Sequence, residues 1–134
     1  MIYLMIKIFF VGFFINLLYE LLHSLLYKTC LEAPLKKYVY LMLKASAFDG
    51  LAIAIIYFFT FSVFTSYQLL IFIIASLVFA YIWEIYSLKK RKWEYANSMP
   101  KILGVGVTPL VQLAVTGLLS LYILSLYIAF YLFI

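Results

Sequence analysis

Four long apolar runs separated by short polar connections make up nearly all of this chain: roughly Leu4–Tyr27, Tyr38–Phe61, Gln68–Leu88 and Ile102–Phe133. Each meets the ~20 residues a helix needs to cross the hydrocarbon core of a bilayer. The pattern predicts an all-α, polytopic membrane protein, with four transmembrane helices forming one compact bundle over residues 1–134. The first run has no A-x-A-like cleavage site and exceeds the length of a signal-peptide core, so it reads as a span.

The connections set the orientation. Lys28–Lys37 (KTCLEAPLKK) holds three lysines, one glutamate and Pro34, and Lys89–Lys101 (KKRKWEYANSMPK) holds five basic residues and one acid. Phe61–Tyr67 (FSVFTSY) is uncharged and short enough for a tight turn. The positive-inside bias puts the first and third loops in the cytoplasm and both termini outside, most simply across the plasma membrane. The basic run at Lys89–Lys92 reads as an anchor against anionic lipid heads, with no nucleic acid as partner. The last run is longer than a bilayer needs, and its opening, Ile102–Pro109 (ILGVGVTP), is poor in helix formers. An irregular or re-entrant approach over Lys101–Val107 is expected, with Thr108 capping a helix whose first position is Pro109.

Composition agrees with this. The chain is 69% hydrophobic and 11% charged, with a mean hydropathy of +1.15. Soluble domains have about 45–50% apolar and about 25% charged residues. Four spans leave no room for a separate soluble domain. The single cysteine, Cys30, has no intrachain disulfide partner.

The candidate chemistry is what interrupts the apolar runs. Asn16, Glu20, His23 and Tyr27 recur at spacings of four, three and four, and so share one helical face. Lys44 lies about two turns into the second span and Asp49 near its middle. Glu84 is about one turn from the end of the third span, and Gln112 opens the last helix. An ionisable group in hydrocarbon costs roughly 2.5–3.5 kcal/mol even on lenient insertion scales. All of these groups fall in the half of the membrane that carries the basic loops. The far half offers hydroxyls and, near the N-terminus, Lys7. A through-pore needs polar groups that continue across the membrane, whereas a one-sided chamber does not.

Within that chamber Asp49, Glu84, Glu20 and His23 are the candidate acid–base residues. Asn16, Lys44, Gln112, Trp93 and Tyr95 are candidates for binding a substrate. Each also has a structural reading: Lys44 as a snorkelling anchor, the acids as helix-packing partners. Glu20-Leu-Leu-His23 matches the E-x-x-H pattern of di-iron bundles, but one histidine starves a two-metal site of nitrogen ligands. A single metal on His23, Glu20, Asp49 and Glu84 is the remaining metal possibility. No soluble cofactor signature is present, since there is neither a Gly-rich phosphate loop nor a Cys/His spacing.

From Trp83-Glu84 onward the chain reads Lys92-Trp93-Glu94-Tyr95, Met99-Pro100, Gly104-Val105-Gly106 and Thr108-Pro109-Leu110-Val111-Gln112. This run, residues 83–112, resembles the pattern of lycopene-cyclase-type membrane domains of carotenoid synthesis. In that pattern an acid late in one span precedes G-x-W-x-[FY], a glycine and P-L-E-E. Glu84, Trp93, Tyr95 and Pro109-Leu110 match. The paired glutamates are replaced by Val111-Gln112, and Gln112 hydrogen-bonds but cannot protonate an alkene. The resemblance implies a shared architecture and an isoprenoid or lipid ligand, and does not extend to cyclase activity. Three classes stay open: a lipid-binding protein or enzyme reached from the cytoplasmic leaflet, a small coupled transporter working as a homo-oligomer, and a scaffold subunit.

Overall fold

The computed structural model describes residues 2–132. Four helices are long and apolar enough to span a bilayer: α1 (Ile2–His23), α3 (Leu35–Val63), α4 (Gln68–Lys89) and α5 (Val107–Leu132). A short helix, α2 (Lys28–Leu31), lies between the first two spans, and a two-stranded hairpin, β1 (Lys101–Ile102) and β2 (Val105–Gly106), precedes the last. The chain is an all-α, multi-pass membrane protein. With four spans, both described ends lie at the end opposite the two basic loops. At ~1.5 Å per residue, the 29 residues of α3 reach about 44 Å, so α3 overshoots a ~30 Å core and must tilt or protrude.

In lipid, burying apolar surface drives nothing, so helices associate through small and polar residues that allow close approach. Each helix buries one stripe of such residues at a spacing of four. These are Ile8-Gly12-Asn16-Glu20 on α1, Met42-Ser46-Gly50-Ala54 on α3, Phe72-Ser76-Ala80-Glu84 on α4 and Gln112-Thr116-Ser120-Leu124 on α5. The opposite face of α1, Phe10-Phe14-Leu18-Leu22, is exposed to the surroundings. Ser46, Thr116 and Ser120 return their hydroxyls to the carbonyl four residues back, at 2.7–2.8 Å. These three hydroxyls are thus buried with a partner on their own helix, whereas Ser76 Oγ in the α4 stripe has none among the described residues.

Close approach is sharpest where α1 crosses α3. A side chain at Gly50 would stand 3.0 Å from both the Phe13 amide nitrogen and the Phe9 carbonyl oxygen. On α5, Gly117 forms a notch for Phe72 of α4, with Cζ 2.6 Å from where a Cβ would be. The α3–α4 seam is packed less tightly than α1–α3. Along it run the stacked rings of Phe48 and Trp83, with centroids 4.4 Å apart.

Several boundaries differ from the sequence expectation. The first span stops being α-helical at His23, not Tyr27: Ser24 bonds to the Leu21 carbonyl (3.0 Å) and shares a hydrogen bond with the Tyr38 hydroxyl (2.9 Å). Those bonds compete with continuation of the helix, and Tyr27 is extended, at φ −112° and ψ 120°. The second span is longer than expected, starting directly after Pro34 and running to Val63. The turn is correspondingly shorter, with Tyr67 left-handed at φ 57°. Lys101–Val107 is not irregular. It closes as a hairpin whose two turn residues, Leu103 (φ 49°) and Gly104 (φ 83°), both have the positive φ that a tight two-residue turn requires. α5 begins at Val107, which places Gln112 in its second turn. Thr108 turns its hydroxyl to Met99 Sδ (3.4 Å). Phe133, the expected end of the last span, lies outside the described residues.

The two glycines of the α1–α3 crossing separate cleanly. Gly50→Ala is expected to lose about 1–3 kcal/mol through overpacking against backbone that cannot yield. Gly12→Ala meets ordinary contacts of 3.4 Å and beyond, and with the helix propensity gained it should be neutral or slightly stabilising. Reversible unfolding in mixed micelles measures both; equal losses would mean that this crossing does not set the packing.

Candidate functional site

The site grows from three of the four stripes. Gln112 on α5 points its amide nitrogen at Asn16 Oδ1 (3.1 Å) and Glu20 Oε1 (2.8 Å) on α1, and at Asp49 Oδ2 (2.7 Å) on α3. Asn16 donates its own amide to the Gly12 carbonyl (2.8 Å), which orients its oxygen toward Gln112. The Gln112 nitrogen has two protons for three acceptors. The Glu20 and Asp49 carboxyls also lie within hydrogen-bonding reach of each other.

A second carboxyl site stands across from this cluster. Glu84 Oε1 accepts from Tyr27 (3.3 Å), from Trp93 Nε1 (3.1 Å) and, over a short contact, from the Tyr95 hydroxyl. The Tyr95 hydroxyl in turn accepts the Gly106 N–H at 2.9 Å. The hairpin therefore holds the tyrosine that holds the acid. All three donors converge on Oε1, and among the described residues Oε2 receives none.

Backbone pairing keeps these donors in place. Lys28 donates its amide to the Glu94 carbonyl (2.9 Å) and Ala96 to that of Leu26 (2.8 Å), while Tyr27 and Tyr95 form an antiparallel bridge. The Glu94 amide also donates to Thr29 Oγ1 at 2.8 Å. The first and third loops are thus stitched together over the end of the bundle. The Lys28–Glu94 ion pair across this seam, at 3.6 Å with both side chains more than half exposed, adds little.

Between the two carboxyl sites lies a mostly apolar cavity of about 490 Å³, within the usual range for ligand pockets. Of the residues singled out from sequence, Glu20, His23, Lys44, Asp49, Glu84, Trp93 and Gln112 all line it. Asn16 and Tyr95 stand directly behind, bonded to Gln112 and Glu84. Lys44 is exposed at the rim, with Nζ 5.8 Å from the Tyr40 ring centroid. The grouping was legible because four-residue spacing fixes a helical face. Sequence reasoning missed Phe48, Trp83, Cys30 and Lys92 on the wall, since aromatic and basic residues at a membrane end carry no signal separating wall from lipid anchor.

His23 is only 6% exposed and is packed between the rings of Tyr19 and Tyr27, with centroids 5.1 Å away on each side. Neither ring nitrogen has a hydrogen-bond partner; the nearest charged atom is Glu20 Oε2, 3.8 Å from Nδ1. A buried imidazole without such a partner costs about 1–3 kcal/mol, and both of its nitrogens are enclosed by the protein. Among the described residues no three His, Cys, Asp or Glu side chains are grouped to hold a metal ion. The single-metal arrangement of His23, Glu20, Asp49 and Glu84 does not form, because Glu84 is drawn to its aromatic donors and Asp49 to Gln112. No protein family, curated protein or solved structure matches this chain.

Tyr95 makes the loop clamp sensitive to alkali. Burial and the hydrogen bond to Glu84 push its phenol above the ordinary 10.0. A folded-state value raised in this way stabilises fully below the unfolded value and is lost as pH climbs through the folded one. Tyr95→Phe also strands the Gly106 N–H. The wild-type stability advantage over this variant should hold constant up to about pH 10 and shrink above it. An advantage that persists unchanged through the alkaline range would mean that Tyr95 does not anchor the clamp.

Proposed function

We propose that this membrane protein binds an isoprenoid-like lipid in the cavity, reached from the cytoplasmic leaflet, and acts on it by acid–base chemistry. The observation that carries the reading is the cavity itself. It is an apolar chamber whose inner wall presents three carboxyls beside a buried imidazole. Positive-inside bias supports a cytoplasmic opening, since every basic residue except Lys7 lies toward that end of the chain's spans.

The geometry divides the labour among the acids. Glu84 is fixed by three donors to one oxygen, leaving Oε2 as the oxygen able to give or take a proton at a ligand atom. Glu20 and Asp49 crowd around one amide that cannot supply every acceptor. A proton shared between them supplies the missing hydrogen bond and removes the repulsion of two adjacent carboxylates. Such a proton is available to a double bond or carbonyl brought against the wall. The rings of Phe48, Trp83 and Trp93 offer a polarisable surface to the rest of the lipid.

Beyond Gln112 the buried polar atoms of α5 are Thr116 and Ser120, each bonded back to its own helix. They offer no relay of ionisable groups toward the far side.

Native mass spectrometry of the protein released in patches of its own membrane tests this reading. A stoichiometric isoprenoid lipid is expected on the wild type and should be lost in Asp49→Asn and Glu84→Gln. Bulk phospholipid alone, unchanged by either substitution, would overturn the reading, and the same spectra report whether the chain forms a homo-oligomer. Cys30 provides a second readout because it lines the cavity. An occupied cavity should slow its alkylation at least severalfold, and equal rates with and without the lipid would place the lipid elsewhere.

A further inference from the structure

The cavity wall is charged in two tiers. The carboxyls and His23 form the inner tier. Lys44 of α3 and Lys92, just past the end of α4, form the outer one, and both line the same cavity. Neither lysine makes an ion pair among the described residues, although three carboxyls stand a few turns away. Both are instead held on aromatic faces. Lys92 Nζ sits 4.3 Å from the centroid of Trp83 and 4.7 Å from that of Tyr86, and Lys44 lies over Tyr40. An ammonium over a ring keeps its remaining N–H directions for another acceptor.

The two lysines flank one seam. They come from α3 and from the end of α4, and the Phe48–Trp83 stack bars that seam one turn deeper. Both lysines therefore stand at the basic end of the cavity, on its α3–α4 side. From Lys44 to Asp49 the helix rises only roughly 7.5 Å. A molecule with its head at the lysines thus lays the first part of its tail against the inner carboxyls.

We propose that the ligand of this cavity is an anionic amphiphile, a lipid with a phosphate or diphosphate head clasped between Lys44 and Lys92 and a prenyl-like tail directed at the inner carboxyls. The inference rests on the lipid-site reading above and adds the sign and position of the head. It also resolves the two tiers. The outer ammoniums receive their counter-charge from the ligand, while the carboxyls, kept from pairing with them, meet an uncharged part of the tail, where an acid is useful. A cationic amphiphile would reverse this placement and set its charge beside the lysines on entry. A free inorganic anion would satisfy the lysines and leave the apolar chamber behind them empty.

The test is equilibrium binding to the protein in phosphatidylcholine nanodiscs, with farnesyl phosphate, farnesol, farnesylamine and inorganic phosphate as probes. Farnesyl phosphate is expected to bind at least tenfold more tightly than farnesol. Lys44→Gln and Lys92→Gln should each cost about five- to tenfold for the phosphate and little for the alcohol, with Lys→Arg at either position restoring most of the loss. Farnesol binding as tightly as the phosphate would overturn the anionic head while leaving the isoprenoid site standing. Tighter binding of farnesylamine would reverse the sign of the head and so overturn it. Binding of inorganic phosphate as tight as that of farnesyl phosphate would reduce the site to a free-anion site. Displacement of farnesyl phosphate by an equal mole fraction of phosphatidylglycerol would make the lysine pair a bulk-phospholipid contact. If no prenyl probe binds the wild type at all, the lipid-site reading falls together with this one.

Discussion

One amide nitrogen joins three of the four spanning helices. Gln112 on α5 reaches oxygens of α1 and α3 within 3.1 Å and is itself only 4% exposed. Such bonds between membrane helices are worth about 0.6–2 kcal/mol each, so together they rival the packing of a whole stripe. Their placement matters more than their sum. Because Gln112 engages Asn16, Glu20 and Asp49 at once, the depth at which α1, α3 and α5 align is set by polar register. The small residues at Gly12 and Gly50 then allow the backbones to close to that register. Without the cluster, stripes of small residues on smooth apolar helices could slide by a turn at little cost.

α4 is the helix outside this node, and a different device holds it. Phe72 plugs the notch at Gly117 near one end, and Glu84 is tied near the other through Tyr95 to the hairpin ahead of α5. The result is a seam to α3 that is looser than the α1–α3 crossing and filled by rings. A cavity forms where packing is interrupted, and here the interruption has a cause. Three carboxyls and an imidazole are too polar to be packed against apolar side chains, and the helix carrying Glu84 is drawn toward the loops. The chamber is the space left between two polar commitments that pull in different directions.

What could be read from the chain follows from the same physics. Four apolar runs with basic connections specify four spans, because the bilayer imposes both their length and their flanking charge. Asn16, Glu20 and His23 could be placed on one face from spacing alone, and they do share it. Glu84, Trp93 and Tyr95 stand within twelve residues, but that they meet at one oxygen depends on the bridge between Tyr27 and Tyr95, a long-range pairing without a local signature. The hairpin was hidden for a related reason. Leu103 takes a left-handed conformation that sequence assigns to glycine or asparagine, so Ile102–Val107 reads as a poor helix and gives no sign of a turn. Tyr27 was misplaced within the helix because its apolar surroundings outweigh the single hydroxyl of Ser24 that ends it.

The loop clamp deserves weight as part of the site for a physical reason. An acid in an apolar chamber is held in one rotamer only if its donors are themselves held, and those of Glu84 come from segments outside the spans. Trp93 and Tyr95 belong to a connection without regular structure, which by itself would let them swing. Pairing with residues 26–29 on one side and with Gly106 on the other leaves that segment little freedom. β2 must present its N–H at the right place, and the two-residue turn with Leu103 at φ 49° puts it there. Strain at Leu103, about 1–3 kcal/mol for a residue in a sparsely populated region, is thus spent outside the membrane to position a carboxyl inside it.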